Sequence, residues 1–98
     1  MELGFFTMPI HPPERALVDT YQEDKEFTIL ADKLGFKEGF FGEHITDSAE
    51  TITSSLIFIS WLLDSTKSIK LGTGTVNLPN HHPAMVAAEV AMVDHLAQ

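Results

Sequence analysis

Short apolar runs alternate along this chain with longer amphipathic ones, which predicts strands separated by helices. Leu3 to Thr7 is apolar and aromatic and reads as a first strand. Pro9, Pro12 and Pro13 then exclude regular structure and mark a loop. Phe27, Leu30, Ala31 and Leu34 fall at i, i+3, i+4 and i+7, predicting a helix with one buried stripe. Thr20 and Glu23 stand at capping-box spacing near its start, and Gly35 supplies a left-handed stop. Gly39 to Gly42, with Phe40 and Phe41, reads as a second strand that could begin at Lys37. After a polar loop to about Thr53, Ser54 or Ser55 can cap a second helix. That helix is apolar on nearly every side, so it should be covered on more than one face. Ile69 to Val76 is the predicted third strand, ending in a Gly-Thr-Gly-Thr stretch, and Asn77 to His82 is a loop. Pro83 suits the first turn of a third helix, whose alanines allow close packing.

The strands start near residues 3, 38 and 69, a repeat of roughly 30 residues, close to one-eighth of a (β/α)₈ barrel. Strands separated by helices imply a parallel sheet. The pattern predicts an α/β fold, the N-terminal three βα units of a TIM barrel forming one domain over residues 1–98. A doubly wound sheet would give similar text. Three units cannot close a barrel, so the chain reads as truncated.

Charge narrows the partners. The chain has 14 acidic against 6 basic residues, a formal net charge of -8. Such a surface disfavours nucleic acid and anionic membranes, and the lysines form no stripe. Cysteine is absent, which removes disulfides, thiolate metal sites and cysteine nucleophiles, and fits a cytoplasmic protein. The N-terminus lacks a secretory signal, and the apolar run Leu56 to Leu63 is too short to span a bilayer.

Polar residues gather just past the strands: His11 after the first, Glu43 and His44 after the second, Asn77, His81 and His82 after the third. In parallel α/β folds this edge is the active-site face. His44 is the strongest candidate, because imidazole can exchange a proton near neutral pH; local packing and hydrogen bonding is the plainer alternative. His81-His82-Pro83 superficially suggests a metal cluster. Adjacent residues seldom aim at one ion, and no His-Glu-x-x-His spacing is present, so a helix-entry loop is preferred and no metal is expected. Gly72-Thr73-Gly74 is not a dinucleotide loop, since position 77 is Asn and no Walker lysine follows. Gly74 instead permits close approach of a flat ligand or an unusual backbone angle, unless the strand simply tapers with small residues.

Taken in order, Met8-Pro9-Ile10-His11-Pro12-Pro13, Leu34-Gly35-Phe36, Gly42-Glu43-His44, the segment Thr66 to Gly74 and Leu78-Pro79-Asn80-His81-His82-Pro83 resemble the bacterial luciferase-like flavin-dependent monooxygenases, with the closest look to their limonene-monooxygenase-like branch. The resemblance runs over essentially the whole chain. Each motif alone is weak; their ordered combination is specific.

This resemblance implies a (β/α)₈ barrel that binds reduced FMN at its C-terminal mouth. Family chemistry proceeds with O2 through a C4a-peroxyflavin to oxygenate a small organic substrate, the reduced flavin usually coming from a separate reductase. It implies His44 as the catalytic residue. Gly74-Thr75 matches the place of a cis, non-proline peptide under the flavin ring, with Met8 and Asn77 also lining the cofactor site. His11, Glu43 and His82 fall to the substrate pocket. The resemblance further implies a homodimer through the second and third helices. Phosphate-binding loops belong to later parts of such a barrel, so the 98-residue chain is expected to be inactive alone. Alternatives are a deazaflavin F420-dependent oxidoreductase on the same barrel and a flavin-binding protein without turnover; the Met8-Pro9-Ile10-His11 text favours FMN.

Overall fold

The computed structural model describes all 98 residues. Three strands, β1 (Gly4–Thr7), β2 (Glu38–Phe41) and β3 (Lys70–Thr73), form one parallel sheet in the order β1-β2-β3. Helix α1 (Leu17–Lys33) connects β1 to β2, α2 (Ser55–Leu62) with a 3₁₀ turn at Leu63–Ser65 connects β2 to β3, and α3 (Pro83–Ala97) follows β3. This is the α/β alternation expected from the sequence.

Register divides the sheet into two faces. Phe5, Gly39 and Leu71 lie side by side, as do Thr7, Phe41 and Thr73, and these rows face the helices. Phe41 and Leu62 are fully buried there, in a core with Ile52, Phe58 and Ile59. Phe41 meets Phe5 and Phe58 edge-on at centroid separations of 5.7 and 5.0 Å, a favoured aromatic geometry. On the opposite face, Phe6, Phe40 and Gly72 form the central row. No helix covers it, and Phe6 stays 57% exposed.

The helix boundaries qualify the sequence expectations. Ser54 caps α2 by accepting from the Ile57 amide at 3.3 Å, Gly35 takes φ +91°, and Pro83 opens α3. The capping box does not form. Helix α1 starts earlier, after Ala16, so Thr20 sits inside the first turns and its hydroxyl donates to the Leu17 carbonyl. Glu23 pairs instead with Arg15, through contacts of 2.6 and 2.9 Å.

The buried stripe of α1 is also different. Thr20, Thr28 and Ala31 face the sheet, while Phe27, Leu30 and Leu34 remain at least half exposed. Phe27 meets Phe5 of β1 through a T-shaped contact at a centroid separation of 5.1 Å. Helix α2 likewise buries Leu56, Phe58, Ile59 and Leu62 but exposes Ile57 and Trp61, and α3 has no buried residue.

At the N-terminal edge of the sheet, Asp32 accepts from the amides of Lys67, Ser68 and Ile69 at 2.6, 3.0 and 2.8 Å. Partial burial raises this carboxyl, but the three amides outweigh it and leave the group below the usual carboxylate range. A helix-borne anion thereby fixes where β3 begins.

Candidate active site

The third strand is shorter than expected because regular pairing stops at Thr73. The ladder carries one more rung at each step: the Gly42 amide donates to Thr7 at 3.0 Å and the Gly74 amide to Phe41 at 2.7 Å. Beyond it the Gly74–Thr75 peptide bond is cis. Strand alternation therefore places Met8, Gly42 and Gly74 in a row on the helix-free face, just past the C-terminal ends of all three strands.

Side-chain contacts fit that placement. A Cβ on Gly42 would fall 2.5 Å from Met8 Cγ and 3.3 Å from the Gly74 carbonyl oxygen. One on Gly74 would lie 3.0 Å from the Phe6 ring and 3.1 Å from Phe40 Cβ. The glycines let Met8, Phe6 and Phe40 lie down over the strands, producing an open apolar floor. His44, one alternation step beyond Gly42, stands on the same rim. Its Nε2 lies 3.2 Å from Met8 Sδ and 2.7 Å from Glu50 Oε2.

Glu43, between Gly42 and His44, points to the other side and is 4% exposed. Its Oε2 accepts from the Ser55 amide and hydroxyl at 2.9 and 3.1 Å; its Oε1 accepts from the Asn77 amide at 2.7 Å and lies 3.2 Å from His81 Nε2. The Asn77 side-chain amide returns to the Glu43 carbonyl at 2.8 Å. Burial raises the Glu43 carboxyl, and this set of donors more than offsets the effect, holding it below its ordinary range. The residue ties together the end of β2, the start of α2 and the segment after β3.

His11 is 2% exposed, with Nε2 2.7 Å from Asp24 Oδ2 and Nδ1 bonded to the Thr51 hydroxyl. Burial pushes the Asp24 carboxyl up, with His11 acting in the opposite sense. The His11 amide donates to the Ala49 carbonyl at 2.6 Å, and the Tyr21 hydroxyl to the Thr51 carbonyl at 2.7 Å. These bonds clamp the loop after β2 against α1.

Of the residues expected to be functional, Met8, His44 and Gly74 converge on the open face, with Thr75 joined to Gly74 through the cis bond. Asn77 adjoins them through Glu43. The side-chain polar atoms of Glu43 and His11 are bonded to protein partners. His82 caps α3, its Nδ1 accepting from the Ala84 amide at 3.1 Å, and is exposed. The partners Glu50, Asp24 and Thr51 do not stand out from the sequence, because they meet their targets across loops of no fixed period. A separate apolar groove opens on the helix side between α1 and α2, lined by Leu17, Tyr21, Ile57, Phe58 and Trp61 among others; it contains no carboxylate or imidazole.

The fold and site define a parallel α/β protein whose strand ends carry an imidazole beside an open, glycine-floored apolar surface. Comparison with known proteins gives the family: the family model for luciferase-like monooxygenases matches residues 1–98, and the chain belongs to that family. It is 38% identical over 96 residues to the 4-hydroxyprotoasukamycin monooxygenase of Streptomyces nodosus subsp. asukaensis, covering 98% of this chain and 26% of that protein. It is 35% identical to the limonene 1,2-monooxygenase of Rhodococcus erythropolis, covering 100% of this chain and 25% of the other. Among solved structures, the oxygenating constituent of 3,6-diketocamphane monooxygenase from Pseudomonas putida, a type II Baeyer-Villiger monooxygenase in complex with FMN, superimposes with a TM-score of 0.92. That match has 26% identity over 99% of this chain and 27% of that one. The chain thus spans about a quarter of the length of the relatives it matches. No helix is long and apolar enough to cross a membrane.

Proposed function

We propose that this chain supplies the first three βα units of a (β/α)₈ barrel that binds reduced FMN and oxygenates a small organic substrate. The observation that carries this reading is the juxtaposition, on one rim of the sheet, of His44 with the Met8–Gly42–Gly74 row. A planar ring fits that floor: the rows beneath it are apolar, Gly42 and Gly74 raise no side chain, and the face is open. The FMN complex of the diketocamphane oxygenase supports this flavin over F420. A relative described as the oxygenase component of a flavin-dependent trigonelline monooxygenase, from Acinetobacter baylyi, supports supply of reduced flavin by a separate reductase.

Bound reduced flavin would supply activation of O2 and transfer of one oxygen atom to the substrate. The chain's own contribution is placement and proton handling. Gly74 and Thr75 would lie under the ring, Met8, packed over Gly42, would bound one side, and the apolar floor would exclude water. His44 would accept or deliver a proton at an imidazole nitrogen beside the ring. Glu43 and the His11–Asp24 pair would hold the strand ends and the loop after β2 in register. Exposed apolar side chains on α2 and α3, including Ile57, Trp61, Met85 and Met92, offer a surface for a second copy.

A side chain at position 42 tests the floor. Gly42→Val must displace Met8 into the space assigned to the ring. In the intact protein, an anaerobic titration with reduced FMN is expected to give a Kd raised at least about tenfold over wild type, or about 1.4 kcal/mol. An unchanged Kd in a variant with wild-type circular dichroism would remove the ring from this floor.

A further inference from the structure

The ladder between β2 and β3 has a regular step. The Lys70 amide donates to the Lys37 carbonyl at 2.9 Å, and the Gly74 amide to the Phe41 carbonyl at 2.7 Å. A parallel ladder is evenly spaced, so the rung after Gly74 would join the Val76 amide to the Glu43 carbonyl. Regular pairing stops at Thr73, and a side chain takes that place: Asn77 Nδ2 donates to the Glu43 carbonyl at 2.8 Å. A carbonyl oxygen only accepts, so the nitrogen of the carboxamide is the atom that faces it.

This bond is half of a two-way clasp. The Asn77 backbone amide donates to Glu43 Oε1 at 2.7 Å, so residues 43 and 77 hold each other through main chain and side chain at once. Residue 43 directly precedes His44, and residue 77 follows Thr75 by two positions. The clasp therefore joins the two strand tips beyond the last backbone rung, between His44 and the Gly74–Thr75 segment. Ser55 reaches the same carboxylate from the start of α2. Its amide and hydroxyl donate to Oε2 at 2.9 and 3.1 Å.

We propose that Asn77 is a positioning residue: its carboxamide, bonded to the Glu43 main chain, sets where His44 stands relative to the Gly74–Thr75 segment. This rests on the flavin-oxygenase reading above. The test compares Asn77→Ala with Ser55→Ala in the intact protein. Each removes one side-chain bond at residue 43 and leaves its own backbone amide on the carboxylate. In flavin-free protein labelled with ¹⁵N,¹³C-histidine, the His44 ring resonances are assigned by their loss in His44→Gln. They are expected to move in Asn77→Ala and to keep wild-type positions in Ser55→Ala. Turnover is expected to fall about tenfold in Asn77→Ala with KM within about threefold, and to stay within about twofold in Ser55→Ala. Asn77→Gln, which keeps the donor on a longer arm, is expected to recover part of the loss. Wild-type His44 resonances in Asn77→Ala, or equal losses of turnover in the two alanine variants, would overturn the proposal. The resonance arm needs no flavin: shifted His44 signals in Asn77→Ala together with unchanged turnover in His44→Ala would support the clasp and refute the oxygenase role of His44.

Discussion

His44→Ala in the intact protein is expected to lower turnover by about 10²–10⁴-fold while leaving reduced-FMN affinity within about threefold. The assay supplies reduced FMN and O2, and starts with limonene and 2,5-diketocamphane, the compounds that the relatives' names carry. The expectation follows from what the side chain touches. The His44 imidazole has polar contacts with Met8 and Glu50, its side chain is 40% exposed, and it forms no part of the aromatic core. Truncation therefore removes a proton carrier without opening a cavity in the protein. Parallel loss of flavin binding and fold would mark the residue as structural, and unchanged turnover would remove it from the chemistry.

The second large effect is on stability. Glu43→Ala is expected to destabilise the protein by about 3–5 kcal/mol, read as a shift of the urea midpoint at neutral pH. The substitution strands the Ser55 and Asn77 amides, the Ser55 hydroxyl and His81, which now converge on one buried carboxylate. The effect should depend on pH in a defined direction. The folded-state carboxyl lies below its ordinary range, so its contribution is fully present above the unfolded value near 4.3 and is lost as pH falls through the lower folded value. The gap in midpoint between wild type and variant should accordingly narrow in acid. A gap that is constant from neutral pH to about pH 3 would show that the charge of Glu43 contributes nothing.

Much of the scaffold is legible in the sequence because its signals are local. Gly35 has the backbone angle that a helix stop demands, Ser54 caps α2, and Pro83 opens α3. The strands lie where the short apolar runs predict them. The errors arise where tertiary contacts override periodicity. Phe27, Leu30 and Leu34 have ideal helical spacing, yet the residues that α1 buries are Thr20, Thr28 and Ala31. Thr20 and Glu23 have the right separation for a cap, but the helix begins before them and Arg15 takes Glu23.

The site divides in the same way. His44 and Gly74 are visible from their positions at strand ends, and strand alternation puts them on one face. The hydrogen bonds that His11 and Glu43 make to Asp24, Thr51, Ser55 and Asn77 are not visible in the sequence, because they join segments of no common period. Glu50 is invisible for a different reason: its partner lies across a loop whose path is fixed by Asp47 and His11, neither of which shares a period with it.

The most direct measurement is a crystal structure of the intact protein soaked with FMN. The account predicts the isoalloxazine ring lying by the Gly74–Thr75 bond, with Met8, packed over Gly42, at its edge and the His44 imidazole within hydrogen-bonding reach of the ring or of a molecule bound beside it. Electron density for the ring anywhere other than this rim of the sheet would contradict it.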